Sequence, residues 1–202
     1  MATRKDEKMD PTAQFKPWLD ITQAKAFLSS EFLLWLWHFT ESPQNPVSLR
    51  LLSTSQEVLV KLWIEDRMVL ESSDAKAHVQ TLRGGEPSRS REAESALQTG
   101  KMVRELRLGL HIDPYGDFLV ILNAKDLAPR SVLLPSGQAD DTGLQSVGLA
   151  YRLKMTDLLV DTLDSLFALF LEHRTDERRW AATSQSLEAW IESRGHAETH
   201  LH

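Results

Sequence analysis

Cysteine is missing from all 202 residues. Its absence excludes disulfides, thiolate metal sites and a cysteine nucleophile, and it fits a reducing compartment. The start of the chain, Met1 to Lys8, is polar with no apolar run behind it, so no secretory signal is read. Long hydrophobic stretches are missing too. The densest, Phe32 to Trp37, is far shorter than the roughly 20 residues that cross a bilayer, and Glu31 adjoins it, so it reads as a buried helix. The phosphate-cradling glycine loop, the dinucleotide fingerprint, the nucleophile elbow and the zinc-protease helix do not occur. Positive charge is in deficit: 23 Lys and Arg stand against 29 Asp and Glu, a net charge of −6. A uniformly basic coat is thereby excluded, and only a local basic surface can contact nucleic acid. The expectation is a cytoplasmic protein with no catalytic site, no cofactor, no metal and no membrane partner.

What is present is ordinary globular material, 42% hydrophobic and 26% charged, enough for one core. Residues 1–19, with Pro11 and Pro17, read as a mobile arm. Asp20 and Gln23 form a capping-box variant that starts a helix, and Leu28, Phe32, Trp35 and Phe39 share one of its faces. After Pro43 to Pro46 the period changes to alternation: Val47, Leu49 and Leu51, then Val58, Val60, Leu62 and Ile64 opposite Lys61, Trp63 and Glu65. Glu65-Asp66 suggests a tight hairpin before Arg67 to Glu71, of uncertain register. Residues 72–90 read as mostly loop, with a short strand through His78 to Leu82 and a possible subdivision of the domain.

Ser90 caps a helix over 91–99, and Gly100 sits where a left-handed residue ends it. Leu106, Leu108, Leu110 and Ile112 alternate with polar neighbours, and Phe118 to Leu122 follows a Pro114 to Gly116 turn as the second arm of a hairpin. Ser131 to Leu134 offers another short strand. Thr142 and Gln145 open one long helix, or two in series, to about His173. Thr175 caps a last helix with Trp180, Leu187, Trp190 and Ile191 on its face, stopped by Gly195 before a tail, 195–202. Strands in the middle and helices at both ends give an α+β domain over 20–194, with antiparallel hairpins and helices packed on them.

Three groups invite chemistry. Asp157, Asp161 and Asp164 share a helical face that could hold magnesium for nuclease work, but a solvated face explains them better. His196, His200 and His202 lie in the tail and carry no functional metal reading. Of the six tryptophans, Trp18 lies in the arm and Trp35, Trp37, Trp180 and Trp190 fall on apolar helix faces, leaving Trp63 as the exposed one. The segment from Arg83 to Arg107 stands apart, with six Lys and Arg against four Glu while the remainder is acidic. There Lys101, Arg104 and Arg107, with Arg89 and Arg91, are the candidate phosphate contacts. A solvated strand face with Glu105 pairing its neighbours fits the same residues.

Ser90-Arg-Glu-Ala-Glu-Ser-Ala-Leu-Gln-Thr-Gly-Lys101-Met-Val-Arg-Glu-Leu-Arg-Leu, followed by a Phe-Leu-Val-Ile-Leu strand and Asp126-Leu127, resembles the recombination-associated RdgC family. So do Glu31-Phe-Leu-Leu-Trp-Leu-Trp37, Leu62-Trp-Ile-Glu-Asp-Arg67 and Phe170-Leu-Glu-His-Arg174 with Trp180. The resemblance covers residues 25–192, its specific part about forty residues around Gly100-Lys101. It implies a nucleoid-associated homodimer that binds duplex or single-stranded DNA without sequence preference and meets a RecA-type recombinase, with Lys101 and Arg104 as contacts. A competing expectation is a protein-interaction module of the same fold, using its Trp- and Leu-rich helices.

Overall fold

The computed structural model describes residues 21–72, 78–136 and 145–194. The helix expected after Asp20 is α1, Ile21–Thr40; the Asp20 cap lies outside the described residues. Strands β1 (Val47–Arg50), β2 (Glu57–Glu71) and β3 (Val79–Arg83) follow, then helix α2 (Arg91–Gln98). Next come β4 (Met102–Asp113), β5 (Gly116–Asn123) and β6 (Arg130–Leu133), and finally helices α3 (Gln145–Thr175) and α4 (Glu177–Arg194). The strands make one antiparallel sheet in the order β1-β2-β4-β5-β6, with β3 also paired to β2. The fold is α+β, as expected from the alternating middle and the helical ends.

One sheet face is the core floor. Val60, Leu62, Met68, Leu70, Leu106, Leu108, Leu110, Ile112, Phe118 and Val120 are all essentially inaccessible. Phe32, Trp35, Leu36 and Trp37 of α1, with Leu159, Leu166 and Phe170 of α3, complete that core. Phe32 meets Phe167 edge-on at 5.0 Å and Phe170 at 5.4 Å, which ties α1 to α3. Arg174 joins them again, its Nε 3.0 Å from Glu31 Oε2 while its guanidinium lies over the Trp180 ring.

Three local expectations need correction. No hairpin forms at Glu65-Asp66. Ile64 pairs with Leu108 and Met68 with Leu106, so residues 65–67 stand opposite Arg107 alone in a bulge. The bulge absorbs the polar pair, and Met68 and Leu70 return to the buried face, so β2 runs through as one strand. Secondly, α4 is capped by Asp176 and not Thr175. The Asp176 carboxylate accepts from the backbone N–H groups of Arg178 and Arg179, both at 3.0 Å, while the Thr175 hydroxyl donates back to Leu171 O. Thirdly, the Asp157, Asp161 and Asp164 stripe is not a uniformly solvated face. Asp157 and Asp164 are exposed, but Asp161 is buried and accepts from the Ser53 N–H at 3.1 Å and from the Ser53 hydroxyl. It fastens the β1–β2 loop to α3.

The α2 to β4 junction is built as its residues foretell. Ser90 Oγ accepts from Ala93 N at 3.2 Å. Gly100, at φ +75°, donates to Leu97 O, and Lys101 N donates to Ala96 O, both at 2.9 Å. That pair of bonds is a Schellman stop, and it delivers the chain straight into β4. The continuous α3, ending at Thr175, resolves the choice between one helix and two. Thr142, Gly195, the arm at 1–19 and the histidines at 196, 200 and 202 lie outside the described residues.

Candidate nucleic-acid interface

The sheet face opposite the core carries the charge. Strand alternation that buries Val60, Leu62, Met68 and Leu106 must turn Lys61, Trp63, Arg67, Glu105, Arg107 and His111 the other way. Across the middle of this face the register aligns a row of arginines. Arg83 on β3 is the direct partner of Arg67 on β2. Arg107 on β4 stands opposite the bulge containing Arg67, and its partner on β5 is Ile121. Ile121 in turn pairs with Arg130 on β6. With neighbouring strands about 4.8 Å apart, the row crosses roughly 19 Å of sheet.

Carboxylates are threaded through the row. Arg107 Nη1 lies 3.0 Å from Asp66 Oδ1, and Arg130 Nη2 lies 2.5 Å from Asp126 Oδ2. Arg67 Nη2 is 2.8 Å from Glu105 Oε1, close enough for an ion pair, although the geometry leaves that oxygen without a hydrogen bond. Arg83 is exposed and pairs with no carboxylate among the described residues. Four guanidinium groups meet three ion-paired carboxylates, while Glu65 of the same bulge is engaged by Trp63, so Arg83 is the arginine of the row without a carboxylate partner among the described residues. Two buried donors, Arg67 Nε and Arg107 Nε, face no acceptor among the described residues. Like charges directly across a sheet destabilise it, so Arg67 opposite Arg83 costs stability that an approaching anion would restore.

Arg67, Arg83 and Arg107 converge on one cleft of about 450 Å³, with Asp66, Gly84, Ile121, Ser131, Val132 and Leu133 as its other lining residues. Its β6 wall is irregular. Leu119 pairs with Leu133 and Ile121 with Arg130, so β6 bulges through Ser131, which adopts φ +49°. A non-glycine residue held in the left-handed region stores strain.

The five residues expected to contact phosphate are scattered over three places. Arg107 lies in the row. Lys101 and Arg104 sit at the near end of β4, where Lys101 Nζ donates to Gln80 Oε1 at 2.8 Å and Arg104 Nη1 lies 3.2 Å from Glu71 Oε1. Arg89 and Arg91 flank the start of α2, and Arg89 Nη1 is 3.3 Å from Glu86 Oε2. Arg67 and Arg130 were not expected from the sequence, and Arg83 was counted in the basic segment without being named as a contact. Their signal is register, which no local window contains. Trp63, expected to be exposed, is half-buried: its Nε1 donates to Glu65 Oε2 at 2.6 Å and its ring covers Gly109. Among the described residues no group of His, Asp and Glu is arranged to hold a metal ion, and no helix is long and apolar enough to cross a membrane. No protein-family model matches the chain, and no curated protein or solved structure does.

Proposed function

We propose that this protein binds nucleic acid without sequence preference, tracking phosphates along the open face of its sheet. The observation that carries the reading is the arginine row, Arg83, Arg67, Arg107 and Arg130, laid across five adjacent strands in a chain of net charge −6. A stretch of about 19 Å is long enough to meet several successive phosphates of one strand. Guanidinium groups bind phosphate through paired, charge-assisted bonds. The resemblance around Gly100-Lys101 supports a role like that of RdgC proteins in recombination, as a homodimer that meets a RecA-type recombinase. In that setting Lys101 and Arg104 extend the row along β4 once Gln80 and Glu71 release them. No bond-breaking step is involved. Fluorescence anisotropy with labelled DNA tests this: affinity falls steeply between about 50 and 200 mM salt, and an absence of binding at low salt refutes it.

A second reading, a protein-contact module, is supported by the outer side of α3. Leu149 and Leu153, one turn apart, are 60% and 56% exposed, and Val160 lies two turns beyond Leu153 at 39%. We assign this stripe to a second copy of the chain, which joins the two readings. Leu153→Glu then shifts sedimentation at micromolar concentration from dimer to monomer; an unchanged distribution removes the stripe from the interface.

A further inference from the structure

We infer that the cleft beside the arginine row holds one unstacked base together with its phosphate, so that this protein prefers single-stranded nucleic acid to duplex. The inference rests on the proposed phosphate tracking and adds a base subsite to it. Its basis is the two-sided lining. Arg67, Arg83 and Arg107 form one side, and Ile121, Val132 and Leu133 form the other, within a single cleft of about 450 Å³. Phosphate alone requires only the first side. Leu133 is 54% exposed, and Ile121 and Val132 are half-buried, so aliphatic surface lies open next to the three arginines.

A ligand that satisfies both sides carries an anionic group and a flat apolar body joined by a short linker, as a nucleotide unit does through its sugar. The volume lies within the roughly 300–1,000 Å³ range of sites that enclose such bodies. In a duplex the bases are stacked and paired inside the phosphate surface, so only the arginine side can be engaged. A single strand presents every base face; sheet-based readers of single strands stack bases on aromatic side chains of an open sheet, and in this cleft the aliphatic wall of Ile121, Val132 and Leu133 takes that place beside the arginines. The strained bulge at Ser131 fits this placement, since it reshapes β6 where that strand forms the apolar wall.

The test compares three labelled ligands of equal length on the full chain: oligodeoxythymidylate, the same strand with abasic sugars, and a blunt duplex. Wild type is expected to bind oligodeoxythymidylate about tenfold more tightly than the abasic strand. Leu133→Asn should remove roughly fivefold of that preference and leave duplex affinity unchanged. Leu59→Asn, at an exposed leucine of the same sheet outside the cleft, should change neither. Equal affinity for the thymidylate and abasic strands, or equal losses on all three ligands with Leu133→Asn, overturns the base subsite. Arg83→Ala separates the two levels: it should weaken all three ligands, and if it weakens none, the phosphate reading fails and the subsite falls with it.

Discussion

Replacing Gly109 by alanine would place a methyl group inside the Trp63 indole. A β-carbon built on Gly109 overlaps Trp63 Cε2, Cζ2 and Nε1, all inside the 3.0 Å that real β-carbons respect. Gly109 is fixed between Leu108 and Leu110, both fully buried, so the strand cannot retreat and the indole must swing away. Overpacking of this kind costs about 1–3 kcal/mol. The bond from Trp63 Nε1 to the Glu65 carboxylate, 2.6 Å long, is broken in the swing, at about 1 kcal/mol for a group that can partly rehydrate. Removing a glycine from a strand returns about 0.5–1 kcal/mol. The net expectation is a loss of about 2 kcal/mol, or roughly 4–8 °C in Tm for a chain of this size. Urea unfolding followed by far-UV circular dichroism measures it, because six tryptophans blur a fluorescence readout. The decisive control is the double-mutant cycle: in a Trp63→Ala background Gly109→Ala should be neutral or slightly stabilising, giving a coupling near 2 kcal/mol. Equal destabilisation by Gly109→Ala in both backgrounds would refute the stacking of Trp63 on this glycine.

Other expectations follow from single contacts. Asp161→Ala strands the Ser53 N–H and hydroxyl against α3 and should cost about 2–3 kcal/mol, with Asp161→Asn costing less, by the same unfolding assay. The backbone hydrogen bond from Arg179, with that from Arg178 and the nearby charges of Arg179 and His173, outweighs desolvation and holds the Asp176 pKa below the usual carboxylate value. Its contribution is therefore complete above the unfolded value, near pH 4, and drains away as pH falls through the lowered folded value. Asp176→Asn, which keeps a capping oxygen without the charge, should flatten the Tm profile below about pH 4. Asp66→Asn releases Arg107 from its ion pair, so DNA affinity at low salt should rise by about threefold and the salt slope should steepen by about 0.9; an unchanged slope would mean Arg107 does not reach phosphate.

Local signals carried much of the fold. The cap at Ser90, the left-handed Gly100 and the alternation from Leu106 to Ile112 each lie within a few residues of what they determine, so the α2 to β4 junction could be read directly. Glu65-Asp66 misled because a polar pair is compatible with both a turn and a bulge. Which one forms is settled by β4, whose Leu108 and Leu106 hold both halves of β2 in one ladder. Asp161 misled for a related reason: its partner Ser53 is 108 residues away, so the acidic stripe on α3 looked like free surface. The candidate site was the least legible part. Local charge density drew attention to Arg83 through Arg107, yet what gathers Arg67, Arg83, Arg107 and Arg130 is strand register across the whole sheet.

The arginine row makes a demand that few surface arginines do: removing Arg83 should weaken binding while relieving its repulsion with Arg67, so affinity and stability move in opposite directions. The most direct measurement is the slope of log affinity against log salt for single-stranded DNA, with Tm recorded on the same samples. Arg83→Ala should lower the slope by about 0.7 with Tm unchanged or raised, whereas Arg50→Ala, exposed at the end of β1 and away from the row, should leave the slope as it is. If Arg83→Ala and Arg50→Ala give the wild-type slope alike, phosphates do not travel along this face.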